Sequence, residues 1–152
     1  MKRLIVFFIS ATLVLSMKFL CTNDFSSFNN FESMTIVTKN EMEIESENIS
    51  YSGNQIYYTL NHSQAEKYLE NEKKQDIDGY VFYFNEFDLD AFSKLIGGYV
   101  FCSEGVENYK IYYGYYQKYN DFRYVSGKKI NFQLVKRDND WVLGFPLILT
   151  GF

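Results

Sequence analysis

Proline occurs once in this chain, at Pro146, histidine once, at His62, and cysteine twice, at Cys21 and Cys102. Each scarcity removes a class of function. A zinc site takes three or four Cys or His ligands, and here those side chains are few and scattered. No Cys-x-x-Cys pair is present, so thiol redox chemistry has no motif to use. A Ser–His or Cys–His nucleophile pair would have to use His62, which stands at an expected helix N-terminus without an orienting partner. An imidazolium is disfavoured there, and His62 reads as a surface residue beside a cap. No glycine-rich loop is present to cradle a phosphate. Asp76-Ile77-Asp78-Gly79 begins like a calcium loop but lacks the third ligand and the distant glutamate, so it reads as a turn. No metal and no cofactor are expected.

Aromatic residues are what the chain has in excess, with 14 Tyr and 15 Phe against three Ala. Aromatics fit the pleated, half-buried surface of a sheet, although an AT-rich coding sequence produces the same bias. The charge is uneven. Residues 22–152 hold 12 bases and 19 acids, a net charge of −7. Within them, 22–105 has 5 bases and 15 acids, while 106–152 has 7 bases and 4 acids. A phosphate backbone calls for clustered Lys and Arg, so nucleic acid is not an expected partner.

Lys2 and Arg3 precede an apolar run, Leu4–Leu15, the pattern of a secretory signal. A buried amphipathic helix fits poorly, because the run has no polar face. Val14-Leu15-Ser16 is the nearest approach to a small-residue cleavage site. If the leader is retained, residues 4–20 would form a helix about 25 Å long, at the short limit for a membrane span. The basic end would then stay inside and the domain outside. A lipid anchor on Cys21 is disfavoured by Leu20 and Lys18 before it. Cys102 is expected to be buried in a strand without a disulfide. The protein is therefore expected to be extracytoplasmic, secreted or membrane-anchored, with membrane contact through residues 4–20 in the second case.

After residues 1–21, the Asn-, Ser- and Phe-rich residues 22–33 read as a tether, and 34–152 as one domain. Met34–Lys39 reads as a strand. Glu41, Glu43, Glu45 and Glu47 alternate with Met42, Ile44 and Ser46, which predicts a strand with a solvated acidic face. Gln55–Leu60 is another strand. A helix follows to about Lys74, with Ser63 and Glu66 at capping-box spacing and Ala65, Tyr68 and Leu69 inward. Tyr80–Phe84 is a strand. Asp88 caps a helix carrying Leu89, Phe92, Leu95 and Ile96, and Gly97-Gly98 stops it. Tyr99–Cys102, Val106–Tyr116 and Gly127–Lys136 read as strands, and a turn at Asp138-Asn139-Asp140 leads into Trp141–Leu149. Pro146 implies an edge or a bulge. Two strand–helix–strand passages and a meander make an α+β fold: a curved antiparallel sheet with two helices packed on one face.

The most distinctive stretch runs from Tyr109 to Tyr119. On a strand, Tyr109, Ile111, Tyr113 and Tyr115 share one face, and Lys110, Tyr112, Gly114 and Tyr116 share the other. One face can be core. The other is then an aromatic surface with Lys110 and Lys118 beside it, suited to a glycan or an envelope protein. The candidate binding residues are Tyr109, Lys110, Tyr112, Tyr113, Tyr115, Tyr116 and Lys118, and no catalytic residue stands out. A non-enzymatic binding or accessory module of the cell envelope is the first expectation. A hydrolase using two carboxylates and a membrane-anchored spacer are the alternatives.

Tyr112-Tyr113-Gly114-Tyr115, Gly127-Lys128-Lys129-Ile130-Asn131-Phe132-Gln133 and Gly144-Phe145-Pro146-Leu147-Ile148 resemble the end of the secreted YwmB-like proteins of Gram-positive bacteria. These short motifs lie in the C-terminal third. The resemblance implies a fold like that of the TATA-box-binding protein, a curved antiparallel sheet backed by helices. It implies no catalytic residues, and it brings no DNA binding to an acidic, exported chain.

Overall fold

The computed structural model describes residues 24, 25, 27–71, 76–102 and 109–148, with the Cys102 side chain left out. The leader, Cys21, the Cys102 thiol, the expected helix end at Lys74 and the start of the Val106–Tyr116 strand lie outside those residues. Among the described residues, no helix is long and apolar enough to cross a membrane.

Over the described residues the chain is an α+β fold, mostly antiparallel sheet with two helices. β1 (Ser33–Thr38) is followed by the hairpin of β2 (Asn48–Ser52) and β3 (Gln55–Asn61), then α1 (His62–Glu70) and β4 (Ile77–Phe84). After α2 (Leu89–Leu95) come β5 (Tyr99–Cys102) and β6 (Lys110–Tyr115), the small hairpin of β7 (Arg123–Val125) and β8 (Lys128–Ile130), β9 (Phe132–Lys136) and β10 (Trp141–Phe145). Eight strands form one sheet in the order β2-β3-β1-β4-β10-β9-β6-β5, with β7 and β8 paired apart from it. β3 and β4 are both antiparallel to β1, so they run parallel and α1 is the crossover between them. In the same way, α2 carries the chain from the central β4 to β5 at the far edge.

Strand alternation sets the core. Met34 and Ile36, Tyr58 and Leu60, Tyr80 and Phe82, Leu143 and Phe145, and Phe132 and Leu134 project from neighbouring strands into one buried cluster. Both helices feed that cluster, α1 with Ala65 and α2 with Phe92.

The segment read as a tether belongs to the core. Phe25, Phe28 and Phe31 are buried in the same cluster, and the Phe25 ring lies 5.0 Å from both Tyr80 and Phe145. Burying rings of this size, at roughly 150–250 Å² each, outweighs the polar context that surrounds them in sequence. Tyr116 and Lys118 hold the segment's start: the Tyr116 hydroxyl donates to the Asp24 carbonyl at 2.6 Å, and Lys118 pairs with the Asp24 carboxylate at 2.7 Å.

Burial, and secondly the charge of Asp24, push Tyr116 from the ordinary 10.0 up to about 12, with the Ser27 hydrogen bond working the other way. Below pH 10 the phenol is neutral in the folded and unfolded chain alike. Above it, the unfolded chain releases a proton that folded Tyr116 keeps until about pH 12. Stability is therefore expected to fall by about 2–3 kcal/mol across that window. Urea midpoints should fall less steeply over the same pH range in Tyr116→Phe; an identical slope would show that Tyr116 contributes nothing to it.

Other expectations change as well. The Glu41–Glu47 alternation is real in burial, with Met42 and Ile44 turned inward, but residues 41–46 belong to no strand. The Met42 N–H donates instead to the Tyr58 hydroxyl at 2.9 Å. The strand lies further on, at β2, paired with β3 around Gly53. The α1 cap is Asn61, the last residue of β3, whose side chain accepts from the Gln64 N–H at 3.0 Å while Gln64 reaches back to the Asn61 N–H at 3.1 Å. Ser63 is already helical, so the capping box sits two residues earlier than its sequence signature implied. His62 does have orienting partners. Nδ1 lies 2.8 Å from the Phe31 carbonyl and Nε2 3.3 Å from Glu66, tying α1 to the aromatic segment. Finally, β10 is interior, between β4 and β9, and the strand stops before Pro146 rather than running to Leu149. The missing N–H of proline is thus kept out of the ladder.

Candidate functional site

Parity along β6 leaves open which tyrosines face the core, and the neighbouring strands decide it. Tyr112 and Gly114 sit opposite Leu134 and Phe132 of β9, on the core side. Tyr112 stacks on Trp141 with ring centres 6.2 Å apart, and Tyr116, just past the strand, is buried. Gly114 is needed for this packing, since a Cβ there would stand 2.3 Å from Phe132 Cζ and from the Tyr99 carbonyl. Of the proposed contact residues, Tyr116 therefore belongs to the interior, and Tyr112 is half-buried on the core side. Lys110 is exposed at the start of β6, and Lys118 is committed to Asp24. Tyr109 is exposed beside the first residue of the strand.

Tyr113 and Tyr115 face away from the core and meet two residues that sequence reasoning did not select. Phe101 of β5 pairs with Tyr113, and Tyr99 pairs with Tyr115. The four rings form a block: centres are 6.0 Å apart for Phe101–Tyr113, 6.4 Å for Tyr99–Tyr115 and 6.3 Å for Tyr99–Phe101, with planes 22–37° apart.

The β7–β8 hairpin closes one side of the block. Ser126 and Gly127 both have positive φ, 50° and 74°, as a two-residue turn of the type I′ class requires. This turn delivers two consecutive lysines. Lys128 Nζ lies 4.1 Å from the centre of the Phe101 ring. Lys129 Nζ lies 4.1 Å from the Phe122 ring and 4.8 Å from that of Tyr115, and donates to the Tyr115 hydroxyl at 3.3 Å. The Tyr99 hydroxyl donates to the Lys129 carbonyl. Phe122 and Tyr124 meet edge to face, and Tyr124 is 69% exposed. Arg123 is paired with Asp121 at 2.9 Å, but among the described residues no carboxylate lies within ion-pair distance of Lys128 or Lys129.

One residue fixes how the hairpin leaves the sheet. The expected strand Gly127–Lys136 is broken at Asn131, which is buried between β8 and β9. Its side chain accepts from the Tyr116 N–H at 2.6 Å and donates to the Tyr116 and Tyr119 carbonyls, each at 2.7 Å. Further along the outward face the chain covers itself. A Cβ on Gly144 would come within 2.5 Å of the Ile148 N–H nitrogen, and that N–H donates to the Gln133 side-chain oxygen at 3.2 Å.

A cleft of about 390 Å³ lies elsewhere, between residues 43–45 and α1. Leu60, Ile44 and Tyr68 line it together with Glu43, Glu45 and Lys67. Two carboxylates, Glu43 and Glu45, share this concavity. Both are exposed, and Glu45 is paired with Lys67 at 3.3 Å, so the pair is held as a solvated rim. Among the described residues, no three His, Cys, Asp or Glu side chains group as a metal site.

The signal that would have found the aromatic block is the Ser126-Gly127 dipeptide between Arg123–Val125 and Lys128–Ile130. Read as a hairpin turn, it returns the two lysines toward the tyrosine strand. No family model, no curated protein and no solved structure matches the chain.

Proposed function

We propose that this chain is a non-enzymatic binding or accessory module of the cell envelope that holds an extended ligand against the outward rings of β5 and β6. The observation that carries the reading is the ring block itself: Tyr99, Phe101, Tyr113 and Tyr115 side by side, flanked by two lysines that have no carboxylate partner among the described residues. Rings left half-open at a sheet end, with hydroxyls at their rim, suit a ligand with an apolar face and polar edges. The leader pattern at residues 1–21 supports an extracytoplasmic site of action, secreted or tethered through residues 4–20. The likeness of the C-terminal third to the YwmB-like proteins belongs to the same proposal, along with the curved, helix-backed sheet that it implies.

The test is retention of the purified protein on insoluble envelope material from the source cells. Phe101→Ala with Tyr113→Ala removes two outward rings without touching the core side of β6. Affinity should drop about tenfold or more, as for contact residues at the centre of an interface. Unchanged retention by a double variant whose urea midpoint is also unchanged would exclude this face.

A further inference from the structure

We infer that the ligand of this face is an anionic polysaccharide, a chain of sugar acids whose carboxylates meet Lys128 and Lys129 while its C–H faces lie on the neighbouring tyrosines. The inference rests on the reading of the ring block as a binding face, and adds the sign of the ligand's charge.

Three observations carry it. First, the ring faces of Phe101 and Tyr115 are already occupied, by the ammonium groups of Lys128 and Lys129 respectively. What a ligand meets at those positions is a cation seated on an aromatic ring. A neutral sugar would have to displace it, whereas a carboxylate completes it. Second, both lysines lack a carboxylate partner among the described residues, although the exported part of the chain has more acids than bases. Their neighbour Arg123 has one. Third, the chain's charge is polarised: residues 22–105 carry 5 bases and 15 acids, and 106–152 carry 7 and 4. That balance favours an anion at the segment that holds the hairpin. It also separates a sugar acid from a nucleic acid. Two lysines release few counterions, and the acidic body opposes a dense phosphate backbone.

The experiment compares polygalacturonate with its fully methyl-esterified form, by calorimetry or affinity electrophoresis, at low and high salt. The acid form should bind about tenfold more tightly than the ester, and lose that advantage in high salt. Lys128→Gln with Lys129→Gln, an exposed and a half-buried position of the hairpin, should bring the acid form down to the level of the ester while the variant stays folded in urea titration. Equal binding of acid and ester, abolished by Phe101→Ala with Tyr113→Ala, would overturn the charge assignment and keep the binding face. Neither polymer binding, with envelope retention still lost in the ring variant, would overturn the sugar-acid ligand alone. Retention that survives both variants would remove the face and the inference together. Tighter binding of an acidic peptide or a single-stranded RNA than of the uronate would overturn the polysaccharide.

Discussion

Phe28→Ala is expected to destabilise the fold by about 3–5 kcal/mol, the range for deleting a large aromatic side chain from a packed core. The expectation follows from where residues 24–31 go. Phe28 is 6% exposed and lies within 5.5–5.8 Å, ring centre to ring centre, of Phe25, Phe82, Phe92, Tyr116 and Phe145. Those rings come from β4, α2, the end of β6 and β10, so the vacated space is bounded by several elements that cannot all collapse into it. Against a typical stability of about 5–15 kcal/mol, the loss is a large fraction of the total. Urea unfolding followed through the single tryptophan, Trp141, measures it. Asn29→Ala and Asn30→Ala, exposed positions on the same segment, should stay within about 0.5 kcal/mol. A Phe28 variant as stable as these two would mean that the segment is a tether after all.

That contrast shows what local sequence can convey. Alternation over Gln55–Asn61 is visible because that strand keeps one face in the core, Tyr80–Phe84 is a short apolar run because β4 is buried on both faces, and Asp88 before Leu89–Leu95 announces its helix through a side chain that accepts from the Ala91 N–H. The row Glu41–Ser46 alternates just as clearly, yet makes no ladder. Period two reports which side faces the protein, not whether a neighbouring strand is present. Phe25, Phe28 and Phe31 recur every third residue, the period of neither a strand nor an α-helix, and their Asn- and Ser-rich surroundings read as linker. Only the tertiary structure, which offers them an aromatic cavity under β4 and β10, gives the spacing a meaning.

The candidate site was legible to a similar degree. The tyrosine run marks β6, and both of its faces are aromatic in sequence, so the choice between Tyr112 with Tyr116 and Tyr113 with Tyr115 needs the register with β9. The partners on the open side come from β5 and from a hairpin of two three-residue strands, too short to carry a period. Lys128 and Lys129 reach the rings from across a turn, a relation of space rather than of spacing.

Asn131→Ala is the change expected to damage both fold and face. In a pattern of strand residues, Asn131 is a polar interruption, but its amide satisfies three backbone groups in a place that water does not reach. Alanine would leave the Tyr116 N–H without its acceptor and the Tyr119 carbonyl without this donor, while the Tyr116 carbonyl keeps the Tyr119 N–H at 3.3 Å. Each buried polar group stripped of its partner costs about 1–3 kcal/mol, so a loss of about 3–5 kcal/mol is expected in urea unfolding. Aspartate is no substitute. It could accept from Tyr116 but would set a charge against two carbonyl oxygens, and should be at least as destabilising as alanine. The same bonds hold the turn after β6 against the junction of β8 and β9, so they determine where Lys128 and Lys129 stand over the rings. At urea concentrations where Asn131→Ala remains folded, its ligand affinity should still fall, although no ligand touches Asn131. Full affinity in a destabilised but folded variant would mean that the hairpin holds its place through the lysine–ring contacts and the Tyr99 hydroxyl alone.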